Sequence, residues 1–196
     1  MSTLETNLVQ PSTGTTLTLG ASGDTVDIPA GATIDATGAT ITGWPAAVDN
    51  TPVFQAHMST DQGTLTDNTY YKCSINTETI DSDGAYDTSA YRFTVPSGEG
   101  GKYYIFANVA AGCATGKFQY GQVSIYKNGS NIVTHSTNEG DYNATNMTMT
   151  ISAVLDLSAA DYLEIYAKVN TDAVNFAIYS NNATGGATNF GGFKLI

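Results

Sequence analysis

The chain has 196 residues, and its seven Lys and Arg against 18 Asp and Glu give a formal net charge of −11. So acidic a chain argues against a nucleic-acid partner and disfavours anionic membranes, because both need clustered Lys and Arg. No apolar stretch has the length of a membrane-spanning helix, and the opening MSTLETNLVQ lacks a signal-peptide pattern. We therefore expect a protein assembled inside a cell, without Sec export or membrane insertion.

Residues 12–44 predict short β-strands that have no core of their own. Up to Gly43 the segment contains no Phe, Tyr, Trp, Met or Cys. Thr or Asp alternates with Leu, Val or Ile, and Gly turns separate four runs: Thr15–Leu19, Thr25–Ile28, Thr33–Asp35 and Ala39–Thr42.

The large apolar side chains of this segment are too few to offset the entropy of ordering its backbone. Several copies wrapped around a common axis would bury these side chains and pair the open strand edges. We therefore predict an intertwined trimeric β-shaft, and its core is expected to consist of Leu17, Leu19, Val26, Ile28, Ile34 and Ile41.

The composition changes after the predicted shaft. All seven Phe and all twelve Tyr lie at Phe54 or later, and the first basic residue is Lys72. Two prolines, Pro45 and Pro52, bracket the change, so residues 45–51 are predicted to be a short linker. Residues 52–196 are then long enough to form one domain with its own core.

Residues 52–196 predict an all-β domain, because short runs rich in Tyr, Phe, Val, Ile and Thr are bounded by Gly, Asn, Asp and Ser. Such a number of short strands is typical of a two-sheet sandwich or jelly roll. The pair Asn128-Gly129 predicts a hairpin with a type I′ turn. The predicted strands are Val53–Met58, Tyr70–Ile75, Tyr91–Val95, Lys102–Val109, Gln122–Tyr126, Met147–Leu155, Tyr162–Val169, Phe176–Tyr179 and Phe190–Ile196.

Few residues form patterns that indicate metal binding or catalysis. Asp81, Asp83 and Asp87 surround Gly84 in a pattern similar to the start of a calcium loop, but Asp-Gly is also an ordinary turn, and both interpretations remain open. The two histidines, His57 and His135, belong to no nucleophile motif, so we predict neither catalytic residues nor a cofactor.

Two further residue types have alternative interpretations. Cys73 and Cys113 are expected to be buried free thiols, with a disulfide as the alternative. Most tyrosines are expected in the core or at a trimer axis, with a carbohydrate platform as the alternative.

Several motifs between Ile75 and the end of the chain resemble the signature of the C1q-like domain, the trimeric jelly roll shared with the tumour necrosis factor superfamily. Asp81, Tyr86 and Phe93 fall at the family spacings, although Ile75 and Ile105 stand where the signature has Phe. FTVP at 93–96 and GKYYI at 101–105 are similar to the family's FTxP and GxYYF, and FGGFKLI at 190–196 resembles its FSGFLL ending. The resemblance implies a jelly roll over residues 52–196 and a homotrimer.

The N-terminal part has a second resemblance. MSTLETNLVQ, GTTLTLG at 14–20 and SGDTVDIP at 22–29 are similar to the opening of fibre and appendage proteins of bacteriophages, particularly marine ones. The resemblance implies that residues 1–11 anchor the chain to a virion structural protein, with Leu4, Leu8 and Val9 as the anchoring side chains, and that a slender trimeric shaft follows.

Together these expectations describe a homotrimeric virion fibre, assembled in the host cytoplasm, whose knob attaches to a host-surface glycan or protein. The outer loops Ser97–Gly101, Asn138–Asn146 and Ser180–Asn189 are expected to face the host, and no receptor-binding residue is assigned. One alternative is a capsid decoration fibre with a structural or weakly adhesive role. Another is a glycan depolymerase, for which no Asp/Glu pair has a recognisable glycosidase spacing.

Overall fold

A computed structural model describes residues 13, 22–27, 29–33, 37, 49–113, 116–138, 144–173, 175–180 and 187–195. The chain divides into two units, residues 1–46 and 47–196, which are described separately. Where the chain is described, its regular secondary structure is entirely β, and no helix there is long and apolar enough to cross a membrane.

In the first unit, the described residues contain turns at 22–23, 30–31 and 37 and no strand. Gly23 and Gly31 have φ values of 96° and 87°, a conformation that glycine adopts without steric cost. Residues 25–27 of the predicted strand Thr25–Ile28 are not in a strand in the single chain, and Val26 is 55% exposed. The anchoring residues and the other proposed shaft residues lie outside the described residues: Leu4, Leu8, Val9, Leu17, Leu19, Ile28, Ile34 and Ile41.

The second unit contains thirteen described strands. They are β1 (Val53–His57), β2 (Gln62–Thr66), β3 (Tyr71–Lys72), β4 (Thr77–Asp81), β5 (Tyr86–Asp87), β6 (Arg92–Thr94), β7 (Gly101–Gly112), β8 (Phe118–Lys127), β9 (Ser130–Asn138), β10 (Asn146–Leu157), β11 (Tyr162–Thr171), β12 (Asn175–Tyr179) and β13 (Asn189–Lys194).

The strands form two antiparallel sheets. The first sheet has the order β2-β12-β7-β13-β1-β4, and the second has the order β5-β6-β11-β8-β9 with β3 beside β11. In the first sheet, β10 pairs with β7 along its whole length, while β13 and β12 share the other edge of β7. The predicted all-β two-sheet sandwich is therefore confirmed for this unit.

Aromatic rings join the two sheets in the core. Phe54 of β1 stacks on Phe93 of β6 with ring centroids 4.2 Å apart, and it meets Phe190 of β13 edge-on at 4.9 Å. All three side chains are at most 1% exposed. Burial of such rings is the main stabilising contribution to a sandwich of this size.

The nine predicted strands all overlap observed ones, but four observed strands differ from the prediction. β2, β4 and β5 were not predicted, and β9 extends far beyond the predicted hairpin. These strands lie at or next to sheet edges, where one side remains open and apolar alternation is weak. The predicted strand Tyr70–Ile75 is reduced to the two residues of β3, although the Cys73 N–H still donates to the Ile165 carbonyl.

The Asn-Gly hairpin is confirmed between β8 and β9. Asn128 and Gly129 have φ values of 52° and 78°, as a type I′ turn requires. The Asn128 amide donates to Asp161, and its oxygen accepts the Tyr162 N–H. Hydrogen bonding from Lys127, 2.7 Å away, together with the Ser158 N–H and Asn128, lowers the pKa of Asp161 to about 2.

We predict that Asp161→Asn removes a pH-dependent part of the stability. The folded-state pKa is depressed, so the carboxylate stabilises the fold above its unfolded pKa of about 4 and this stability is lost as the pH falls towards 2. The variant should be on the order of 2 kcal/mol less stable than wild type at pH 7, with the difference vanishing near pH 2. Urea unfolding followed by circular dichroism measures this.

Asp156→Asn is the matched control, because the Asp156 carboxylate pairs with Lys102 while both side chains are mostly exposed. Exposed ion pairs contribute little to stability, so Asp156→Asn should change the free energy of unfolding by at most about 0.5 kcal/mol at pH 7 and at pH 2. If Asp161→Asn remained less stable than wild type by the same amount at pH 2, the ionised Asp161 carboxylate would not be the source of the difference.

A second prediction concerns Gly192 in β13. A Cβ atom there would lie 2.9 Å from the Tyr104 carbonyl oxygen and 2.6 Å from Cδ1 of Ile105, so Gly192→Ala should lower the free energy of unfolding by about 1–3 kcal/mol. Gly63→Ala is the control, because no heavy atom lies within 4 Å of its added Cβ, and it should stay within about 0.5 kcal/mol of wild type. If Gly192→Ala and Gly63→Ala changed the free energy of unfolding equally, the close packing around Gly192 would not be what restricts this position to glycine.

Candidate functional site

Two carboxylates of the possible calcium loop, those of Asp81 and Asp87, each hold their own turn. Asp81 accepts the N–H groups of Asp83, Ala85 and Tyr86 at 3.3, 3.0 and 2.9 Å. Asp87 accepts the hydroxyl of Ser89 at 2.6 Å, and hydrogen bonding holds its pKa below the usual range. Over the described ranges, no three His, Cys, Asp or Glu residues are grouped so that they could hold a metal.

The residues at the C1q-like spacings come together around the core ring of Phe54. Asp81 accepts the Tyr86 N–H, and the Tyr86 hydroxyl donates to the Ile75 carbonyl at 2.8 Å. The Tyr86 and Phe93 rings both stack on Phe54. Burial raises the pKa of Tyr86, so it stays a neutral hydrogen-bond donor. These residues therefore build the fold.

The histidines and cysteines form no nucleophile pair. His57 Nδ1 contacts the Thr79 hydroxyl at 3.1 Å, and His135 Nδ1 donates to the Thr150 carbonyl at 2.6 Å. Cys73 and Cys113 are buried free thiols, as expected, and burial raises the pKa of both. A thiol that resists ionisation is a poor nucleophile.

A groove of about 520 Å³ lies beside β7, β10 and β12. Asp61 supplies a carboxylate to it, and that carboxylate accepts both the N–H and the hydroxyl of Ser180. A glycoside hydrolase uses two carboxyl groups, whereas Asp61 is the sole acidic residue among the described residues that line this groove.

The outward face of the first sheet carries an uncovered apolar row that crosses four strands. Phe193 lies opposite both Val53 and Tyr104, and Tyr104 lies opposite Val154. The rings of Tyr104 and Phe193 are 5.6 Å apart, and Phe106 adds a third ring 6.2 Å from Tyr104. Val154 is 60% exposed. We call Val53, Tyr104, Phe106, Val154 and Phe193 the aromatic face.

The outward face of the second sheet carries five half-buried tyrosines, Tyr70, Tyr120, Tyr126, Tyr162 and Tyr166, which we call the tyrosine face. Tyr126 and Tyr166 stack with centroids 4.0 Å apart, and Tyr70 meets Tyr126 at 6.4 Å. The buried Ser124 lies opposite Tyr166 in the ladder. Its small side chain leaves space above the sheet for the two large rings.

Two cations rest on the tyrosine face. The Lys168 ammonium lies 4.9 Å from the Tyr70 ring and 5.5 Å from the Tyr120 ring, and the Arg92 guanidinium lies 4.8 Å from the Tyr162 ring. Such cation–π contacts hold the charges at the surface without neutralising them. The sequence predicted a tyrosine platform only as an alternative and without naming its members, because their grouping depends on strand register.

The hydrogen bonds of Asp81 generate a prediction about calcium. Asp81→Ala leaves three N–H groups without their acceptor and should lower the free energy of unfolding by about 1–3 kcal/mol, whether or not calcium is present. Asp83→Ala, at an exposed position, should change it by less than about 0.5 kcal/mol. A wild-type melting temperature that rose with millimolar calcium, and no longer rose in either variant, would instead support a calcium loop.

Comparison with solved structures identifies the fold of the second unit. The Eiger TNF structure from S. frugiperda matches with a TM-score of 0.51 and 10% identity, covering 74% of this chain and 92% of that chain. The globular domain of zebrafish complement 1qA protein matches with a TM-score of 0.48 and 15% identity, and the match covers 74% of this chain and 98% of that chain. No protein-family model and no curated protein matches the sequence. The match to the TNF structure thus confirms the predicted jelly roll as a fold.

Proposed function

We propose that this chain forms a homotrimeric fibre whose jelly-roll knob assembles the trimer and attaches it to a host surface. The observation that carries the assembly step is the aromatic face, where three rings and the exposed Val154 form an apolar row in a chain of net charge −11. Uncovered apolar rows of this kind typically mark protein interfaces, and a second copy of the same chain is the simplest partner.

The shared fold supports a trimer as the form of self-association. The sequence resemblance is to trimeric jelly rolls, and the fold of the second unit is of that type. Three copies related by rotation would each place an aromatic face towards the axis and close the ring without a free end. Closed assembly through this face would also bring together the three copies of Val53, the first residue of β1.

The virion setting is supported by the resemblance of residues 1–29 to phage appendage proteins. Immunogold electron microscopy of phage particles, with antibodies against residues 52–196, tests this setting. Label at tail extremities would support host attachment, whereas label spread over the capsid would support a decoration fibre. Absence of label from purified particles would remove the virion role altogether.

Val154→Asp tests the aromatic face as the assembly surface. The side chain is 60% exposed in the single chain, so the variant knob should remain folded, but a carboxylate buried between copies would be costly. We expect wild type to scatter light as a species three times the 20.5 kDa chain mass, and the variant as a monomer at micromolar concentration.

Ile132→Asp is the matched control for this experiment. Ile132 is 42% exposed on β9 of the second sheet, and the substitution adds the same charge away from the aromatic face. It should leave the trimer intact. Monomeric wild type would overturn the assembly proposal, and equal dissociation by both substitutions would show that added charge, rather than its position, disrupts the assembly.

A further inference from the structure

The tyrosine face has the geometry of a rigid binding platform. Four of its five rings stand on two paired central strands, β8 and β11, and Tyr70 directly precedes β3. Hydrogen bonds fix two of the rings: Tyr70 donates to Gln122 at 2.7 Å, and Tyr120 donates to Asn68 at 2.6 Å. Rings held in this way lose little conformational entropy when a ligand covers them. The surface is therefore pre-organised.

The charges on this face differ from those on the rest of the molecule. Four of the seven basic residues form ion pairs with carboxylates: Lys72, Lys102, Lys127 and Lys194. The other three are Arg92, Lys117 and Lys168, for which no carboxylate lies within ion-pair distance among the described residues. Two of those three, Arg92 and Lys168, lie on the tyrosine face. Beside them, Glu164 contacts Tyr166 and is neutralised by its ion pair with Lys72. The face thus combines aromatic rings with a net positive charge on a strongly acidic chain.

We propose that the tyrosine face binds an acidic polysaccharide, a chain of pyranose rings that carry carboxylates. The C–H faces of pyranose rings pack well on tyrosine rings, and sugar hydroxyls can exchange hydrogen bonds with the half-buried side-chain amide of Asn170. The Lys168 ammonium, held between Tyr70 and Tyr120, supplies the counter-charge for a sugar carboxylate. Charge complementarity favours this ligand over a neutral glycan.

The platform stays accessible in the proposed assembly. The outward faces of the two sheets lie on opposite sides of the sandwich, so association through the aromatic face leaves the tyrosine face free. Three copies would then combine weak contacts into stronger attachment. As an account of attachment, the inference rests on the function proposed above, but binding of the polysaccharide by a single knob does not require the trimer.

Binding of full-length protein to alginate, a polyuronate, is the direct test, with dextran as the neutral reference. Affinity electrophoresis in gels containing either polymer gives the dissociation constants. We expect alginate to retard wild type, dextran to retard it much less, and the alginate effect to weaken with added salt. Lys168→Gln should weaken alginate binding about tenfold, because it removes one charged contact.

Lys117→Gln is the control for the loss of charge, because Lys117 is exposed before β8 and also lacks an ion pair among the described residues. It should bind alginate like wild type. Tyr166→Leu should weaken binding by about fivefold or more, while Tyr166→Phe should retain it, since the ring and not the hydroxyl packs on the sugar. Circular dichroism and thermal unfolding confirm that each variant is folded.

Each contrary result has a definite meaning. No retardation by alginate, equal retardation by dextran, or an equal effect of Lys117→Gln and Lys168→Gln would overturn the proposal. Light scattering on the same samples separates this inference from the proposed function. If the protein is a trimer that does not bind alginate, only the proposal for the tyrosine face is contradicted. If it is a monomer that binds alginate, only the proposed trimer assembly is contradicted.

Discussion

The contact on which the second unit depends is the stack of Phe54 on Phe93, because it fixes the two sheets against each other. β1 contributes Phe54 and β6 contributes Phe93, so the 4.2 Å stack crosses the sandwich. Tyr86 and Phe190 surround the same ring. Side chains alternate across a strand, so fixing which residues point inward also fixes which point outward. The packing of Phe54 on Phe93 therefore also determines which side chains form the aromatic face and the tyrosine face.

The two outward faces have different chemistry, and this difference separates possible roles. The aromatic face offers apolar area with little capacity for hydrogen bonding, which suits permanent burial against a copy of the same chain. The tyrosine face combines rings with hydroxyls, amides and cations, which suits contact with a hydrated ligand. A sandwich provides these two environments because each sheet covers the core with one side only. Assembly and recognition therefore need not compete for the same surface.

Much of the fold of the second unit could be predicted from the sequence, because its central strands are buried and their apolar alternation is strong. The Asn128-Gly129 turn was also predictable, since few residue pairs suit a type I′ turn. Edge strands such as β4, with the sequence TETID, escaped prediction because a strand with one open side needs little apolar alternation.

The surface clusters could not be predicted from the sequence, for a different reason. Tyr126 and Tyr166 are 40 positions apart in the chain, and they stack only because the ladder of β8 and β11 places Ser124 opposite Tyr166. Nothing local in either strand indicates that register. The aromatic face is similar, since its row joins residues from β1, β7, β10 and β13. Long-range pairing, not local propensity, creates both surfaces.

The hydrogen bond from His135 to Thr150 bears on how this domain avoids unwanted polymerisation. Thr150 lies on β10, which pairs with β7 on one side only, and His135 lies on β9, the last strand of the second sheet. An exposed strand edge is a template for adding a foreign strand, and each satisfied carbonyl makes that addition less favourable. The imidazole occupies the Thr150 carbonyl at the free edge of β10, where the two sheets come close. Growth by strand addition at this edge is thereby discouraged.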